Sequence, residues 1–193
     1  MRSGLSEAGP GVRDPADLAR RGKGTTLIVG VGNELLGDEG LGVHVVRRLL
    51  AMKDRLPPGA EVLEAGIFLM NSLGEISAYP HVILVDAVRA GGKPGRIYRV
   101  EIEEGLADCL PDVGALSLHQ WGVAESLYAA EVLGLLPARV TLVGAEPERI
   151  EPGTELSPTL EPVRDRIVSL LLEEVVGVSE RRVSRGAALP PSS

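Results

Sequence analysis

Apolar and polar positions fall into blocks along this chain, and the blocks alternate between two periods. The first, Thr26–Val31, is a short apolar run of strand type that breaks at Gly30 and Gly32. Behind it Leu41, Val45, Val46, Leu49 and Leu50 recur at helical spacing over about 40–52, and Pro57-Pro58-Gly59 closes the unit. A second strand is expected over 60–64, then a helical stretch over 68–78 stopped by Pro80. The run Val82–Val85 is apolar on both faces, which places it at the centre of a sheet. Strand, helix, strand in this order calls for parallel pairing with right-handed crossovers. Only residues 87–94 separate Asp86 from the next strand, 95–102. That is too short for a parallel crossover, so this strand is expected to return antiparallel as an edge strand.

The second half continues the pattern. Residues 103–116 form an acidic loop with no clear period. Ser117-Leu118-His119-Gln120 reads as a capping box opening a helix that ends at Gly134. A fifth strand follows over 139–143. The last helix opens at Ser157-Pro158 and carries the stripe Leu160, Val163, Ile167, Leu170, Leu171 and Val175. The sum is an α/β fold over residues 25–177: a single-domain, three-layer αβα sandwich with a twisted, mostly parallel five-stranded sheet and one antiparallel edge strand. Residues 1–24 and 178–193 read as a disordered leader and tail.

Composition narrows the function. A chain of 193 residues suits one domain with a full core. A net charge of −7, with the acids spread rather than blocked, argues against a nucleic-acid or anionic-membrane surface. Cys109 is the only cysteine, which excludes a disulfide framework and a thiolate metal cluster. No apolar run reaches the length of a membrane span, and the leader has no apolar core of a secretory signal. A cytoplasmic protein is expected, and a monomer, since no helix face demands a partner.

The segment from Gly30 to Gly42 carries the candidate chemistry. It is not a dinucleotide fingerprint: the third glycine position is Leu35, and Asp38 and Glu39 would repel a pyrophosphate at the helix start. Acids favour helix N-termini, which accounts for Asp38 as a cap more readily than for Glu39. Three positions converge in the expected topology. Glu39 opens the first helix, Asp86 ends the third strand, and His119 lies in the first turn of the helix leading to strand five. Crevices beyond the carboxyl ends of parallel strands are where such sheets bind ligands. Two carboxylates and an imidazole from three units would make a metal site with open positions. Each residue also has a plainer reading: Asp86 as a turn cap, His119 as a hydrogen-bonded rim residue. His44, mostly off the apolar face of its helix, reads as a solvated or rim histidine rather than a ligand.

The run Gly30-Val31-Gly32-Asn33-Glu34-Leu35-Leu36-Gly37-Asp38-Glu39-Gly40-Leu41-Gly42, with Val85-Asp86-Ala87, Ser117-Leu118-His119-Gln120, Leu142-Val143-Gly144 and Glu146-Pro147, resembles the hydrogenase maturation endopeptidases. The resemblance spans about residues 26–175. It implies an enzyme that cuts a C-terminal extension from the large-subunit precursor of a nickel–iron hydrogenase once nickel is inserted. It also implies that Glu39, Asp86 and His119 engage that nickel, so that the metal of the substrate licenses cleavage. Asp38 or Glu64 could serve as a base. One departure stands out: where the family commonly has an acid followed by Gly-Gly-Thr, this chain reads Glu64-Ala65-Gly66-Ile67. Two rival readings remain open, a nickel-sensing chaperone of the immature subunit that does not cut, and a nucleotide-binding oxidoreductase with Glu64 on a ribose.

Overall fold

The computed structural model describes residues 25–103 and 123–186, with side chains from 25 to 102 and from 123 to 177. The leader, residues 104–122 and residues 187–193 lie outside it; so do Cys109, Ser117 and His119. Strand β1 (Thr26–Val31) leads through a single 3-10 turn, Asp38–Gly40, into helix α1 (Leu41–Leu50). Strand β2 (Ala60–Gly66), a 3-10 turn at Leu69–Ser72 and the short helix α2 (Leu73–Ile76) precede β3 (His81–Ala87). Then come β4 (Ile97–Glu103), α3 (Val123–Val132), β5 (Arg139–Ala145) and α4 (Leu160–Gly186).

The sheet runs in the order β2-β1-β3-β5-β4, so the doubly apolar β3 is its central strand. Neighbours are parallel except β4, which pairs antiparallel with β5, Ile97 opposite Ala145. Side chains alternate across each strand, so each strand feeds two cores. Ile28, Ile83, Val85 and Val143 pack under α1 and α4 with Val45, Leu49, Leu160, Ile167 and Leu171. Leu27, Val29, Val82, Leu84 and Leu142 pack on the other face with Leu69, Ile76, Tyr79, Val123 and Leu127. This is the three-layer sandwich the pattern predicts.

Two boundaries differ from the sequence expectation. Helix α4 runs on to Gly186, past the boundary expected at residue 177. The stripe reads the apolar face only, whereas Ser179-Glu180-Arg181-Arg182-Val183 contains no breaker to end the helix itself. The stretch over 68–78 is a 3-10 turn followed by only one helical turn.

Helix α1 sits very close to the strand ends because two glycines let it. A Cβ on Gly42 would lie 2.0 Å from the Val85 carbonyl oxygen and 2.3 Å from that of Val31. A Cβ on Gly30 would lie 2.4 Å from the Gly42 carbonyl oxygen. These glycines serve helix-on-sheet packing, and they bring the Asp38–Gly40 turn onto the carboxyl ends of β1 and β3.

Candidate active site

The site forms where the carboxyl ends of β1 and β3 meet the 3-10 turn. Asp86, near the end of β3, is 4% exposed and accepts a hydrogen bond at Oδ1 from the Ala87 N–H, 2.8 Å. Burial pushes its carboxyl up to about 8, the Ala87 amide opposes that, and the nearby Glu39 carboxylate adds to it. Gly32 lies against the Glu39 backbone and close to the Asp86 carboxyl. A Cβ there would strike the Glu39 carbonyl oxygen at 2.0 Å and approach Asp86 Oδ1 to 3.4 Å, and its φ of +125° is one only glycine adopts readily. Glu39 is half-buried. A desolvated carboxyl beside a second carboxylate holds its proton to high pH and releases it to a cation. His119 lies outside the described residues, so two of the three expected ligands can be placed. Among the described residues no three His, Cys, Asp or Glu side chains are grouped to hold a metal ion.

Asp38 does not cap its turn. Gly37 occupies the cap position with no side-chain hydrogen bond. The Asp38 side chain is fully buried and turns the other way, into the loop between β5 and α4. Oδ2 accepts the N–H groups of Glu148 and Arg149, 2.9 and 3.1 Å, and Oδ1 accepts that of Ser157, 2.6 Å. Ser157 in turn caps α4, its Oγ accepting the Leu160 N–H at 3.3 Å. The turn that carries Glu39 is thereby tied across more than a hundred residues to the start of the last helix.

A second buried carboxylate does the same for the loop after Asp86. Glu146 accepts the N–H groups of Ala90, Gly91 and Gly92, 3.0, 3.3 and 3.0 Å, and the Tyr98 hydroxyl, 2.8 Å. Burial works against its charge, but the donors outweigh burial and hold the carboxyl below the usual range. Glu64, at the exposed end of β2, is gripped by Arg47 of α1 in a bidentate pair, Nε to Oε2 2.9 Å and Nη2 to Oε1 2.7 Å. The same guanidinium bonds Glu34. Sequence reasoning missed this clamp: an arginine off the apolar face of a helix carries no local sign that acids from two other elements will meet it. His44 is half-buried rather than solvated; burial lowers its pKa and its Nε2 has no hydrogen-bond partner.

The comparisons with known proteins agree with this frame. The model of the hydrogenase maturation protease family, HycI, matches residues 43–174. The Hydrogenase 2 maturation protease of Escherichia coli K12 is 36% identical over 155 residues, covering 78% of this chain and 92% of that protein. The hydrogenase expression/formation protein HupD of Bradyrhizobium diazoefficiens is 34% identical, over 73% and 71% of the two chains. Among solved structures, the hydrogenase maturating endopeptidase HybD of E. coli superposes with a TM-score of 0.66 at 33% identity, over 79% of this chain and 93% of that one. The hydrogenase 2 maturation peptidase of Thaumarchaeota archaeon SCGC_AB-539-E09 gives 0.60 at 34%, over 78% and 97%. With a family model matched over residues 43–174 and relatives and structures alike to this extent, the chain belongs to the hydrogenase maturation protease family.

Proposed function

We propose that this protease removes a C-terminal extension from the large-subunit precursor of a nickel–iron hydrogenase after nickel has been inserted, and that Glu39, Asp86 and His119 engage the nickel of that substrate. The observation that carries the reading is the buried Asp86 carboxyl, with the Glu39 carboxylate near enough to raise its pKa further, a pairing that suits a cation rather than a phosphate. Nickel held in the precursor would draw the scissile bond to these carboxylates and polarise its carbonyl. Water then adds to that carbonyl carbon, the C–N bond breaks, and the leaving amine takes a proton. Of the two candidate bases, Asp38 has both oxygens committed to backbone amides and is better read as a positioning residue. Glu64 is held by Arg47 at the rim, where it is half-exposed and can exchange that partner.

The test is processing of a purified precursor, with and without nickel, read by mass. Cleavage of the nickel-loaded form alone is expected. Tight binding with no product would replace the peptidase with the chaperone reading. Glu39→Gln and His119→Ala are expected to abolish cleavage with an unchanged far-UV spectrum. Wild-type processing by either variant removes that residue from the site.

A further inference from the structure

Beside the paired acids lies a groove of about 240 Å³ that the mechanism does not use. Leu35 on the loop after β1, Ile67 and Phe68 after β2, and Val43 give it apolar lining, and Gly32 and Gly66 also line it. The Gly32 N–H donates to the Gly66 carbonyl at 3.0 Å, joining the two loops that line the groove. Phe68 is the single phenylalanine of a chain with 3% aromatic residues, and it is 62% exposed. Leu35 and Ile67 are 63% and 59% exposed. Scattered exposed apolar residues mean little, but here three share one groove, and such grooves mark binding sites.

We propose that this groove receives an apolar side chain of the precursor's own C-terminal segment, lying extended next to β2; the proposal rests on the peptidase reading above. Three observations select that occupant. First, Gly32 lines the groove, and a Cβ on it would stand 3.4 Å from Asp86 Oδ1, so a chain seated there passes close to the candidate site. Second, β2 is an outer strand of the sheet, the position at which an extended peptide can align. Third, among the described residues the lining carries two carboxylates, Glu34 and Glu64, and no cation, and Arg47 bridges both, leaving one negative charge. The groove therefore accepts an apolar side chain with neutral or basic neighbours and disfavours an acidic segment. A second copy of this chain, with net charge −7, fits that surface poorly.

The experiment uses the full chain and a nickel-loaded large-subunit precursor, with wild type, Phe68→Ser, Leu35→Ser and Phe68→Leu compared in cleavage and in direct binding. Both serine variants change exposed positions and are expected to keep the wild-type melting temperature. KM should rise about tenfold or more in each while kcat stays within about twofold, the signature of lost uniform binding. Phe68→Leu should restore most of the affinity. Unchanged KM in both serine variants, with wild type cutting normally, overturns the docking site and leaves the peptidase standing. A fall in kcat at constant KM overturns it too, since that marks a role in the chemistry. If wild type binds the precursor but never cuts, the peptidase reading falls, and loss of that binding in Phe68→Ser still supports the groove. A dimer of wild type that Phe68→Ser dissolves would assign the surface to self-association and overturn the proposal.

Discussion

Asp38 and Glu39 are adjacent acids with separate work. The Glu39 carboxylate raises the pKa of Asp86, while Asp38 is buried and accepts three backbone N–H groups. Removing one partner of a buried hydrogen bond leaves the other unsatisfied, at roughly 1–3 kcal/mol per group. Asp38→Ala strands three donors at once and is expected to lower stability by about 3 kcal/mol or more, read as a shift of the urea midpoint at constant slope. Asp38→Asn keeps one carbonyl acceptor but turns an amide against a backbone N–H, so it should fall between the two. A midpoint for Asp38→Ala within error of wild type would show that the loop between β5 and α4 holds itself. The sequence suggested a helix cap for Asp38 because local spacing is all it displays. The true partners lie 110, 111 and 119 residues away, beyond what any local pattern encodes.

At the scale of elements, the fold was legible where periodicity is strong. The doubly apolar β3 is central, and the eight residues after Asp86 force β4 to return antiparallel. Glu39 and Asp86 could be placed together because parallel strands all deliver their carboxyl ends to one side. The Arg47 clamp and the Glu146 cradle were not legible, since each depends on charges and amides from separate elements meeting in space. Gly30 of β1 and Gly42 of α1 were legible as a pattern but not in purpose. Gly42→Ala would drive a methyl to 2.0 Å from the Val85 carbonyl oxygen and is expected to cost about 3 kcal/mol or more, pushing α1 off the sheet and the Asp38–Gly40 turn with it. Gly74 in α2 is the control, because a Cβ there meets nothing within 4 Å. Gly74→Ala should stabilise by about 0.4–1 kcal/mol, by restricting the unfolded chain. Equal melting shifts in the two variants would contradict the close approach of α1.

Across the whole molecule, the groups that fit the site and the groups that hold the core respond to pH in opposite senses. Asp86 keeps its proton to about 8 in the folded protein, far above an unfolded aspartate near 3.9. Between those values the folded state binds more protons than the unfolded one, so this group makes stability fall as pH rises toward 8. His81 acts the other way. It is buried at the start of β3 with Nε2 2.9 Å from Thr141 Oγ1 of β5 and Nδ1 without a hydrogen-bond partner among the described residues, and burial lowers its pKa. Below its unfolded value near 6.5 the unfolded state binds the extra proton, and stability is lost as pH falls. His44 shifts in the same direction. Glu34, Glu101, Glu146 and Asp165, whose pKa values lie below the usual range, withdraw their contributions at more acid pH still. In the window from about 6.5 to 8 the Asp86 carboxyl therefore dominates the slope. The melting temperature should rise as pH is lowered from 8 to about 6.5, pass through a maximum and then fall. Asp86→Asn, which removes the buried acid while keeping its shape, should melt higher than wild type at pH 8 and lose the slope above 6.5. A variant that retains the full slope would mean that the carboxyl at the end of β3 is solvated enough to ionise freely, and the physical basis for a cation site between Asp86 and Glu39 would go with it.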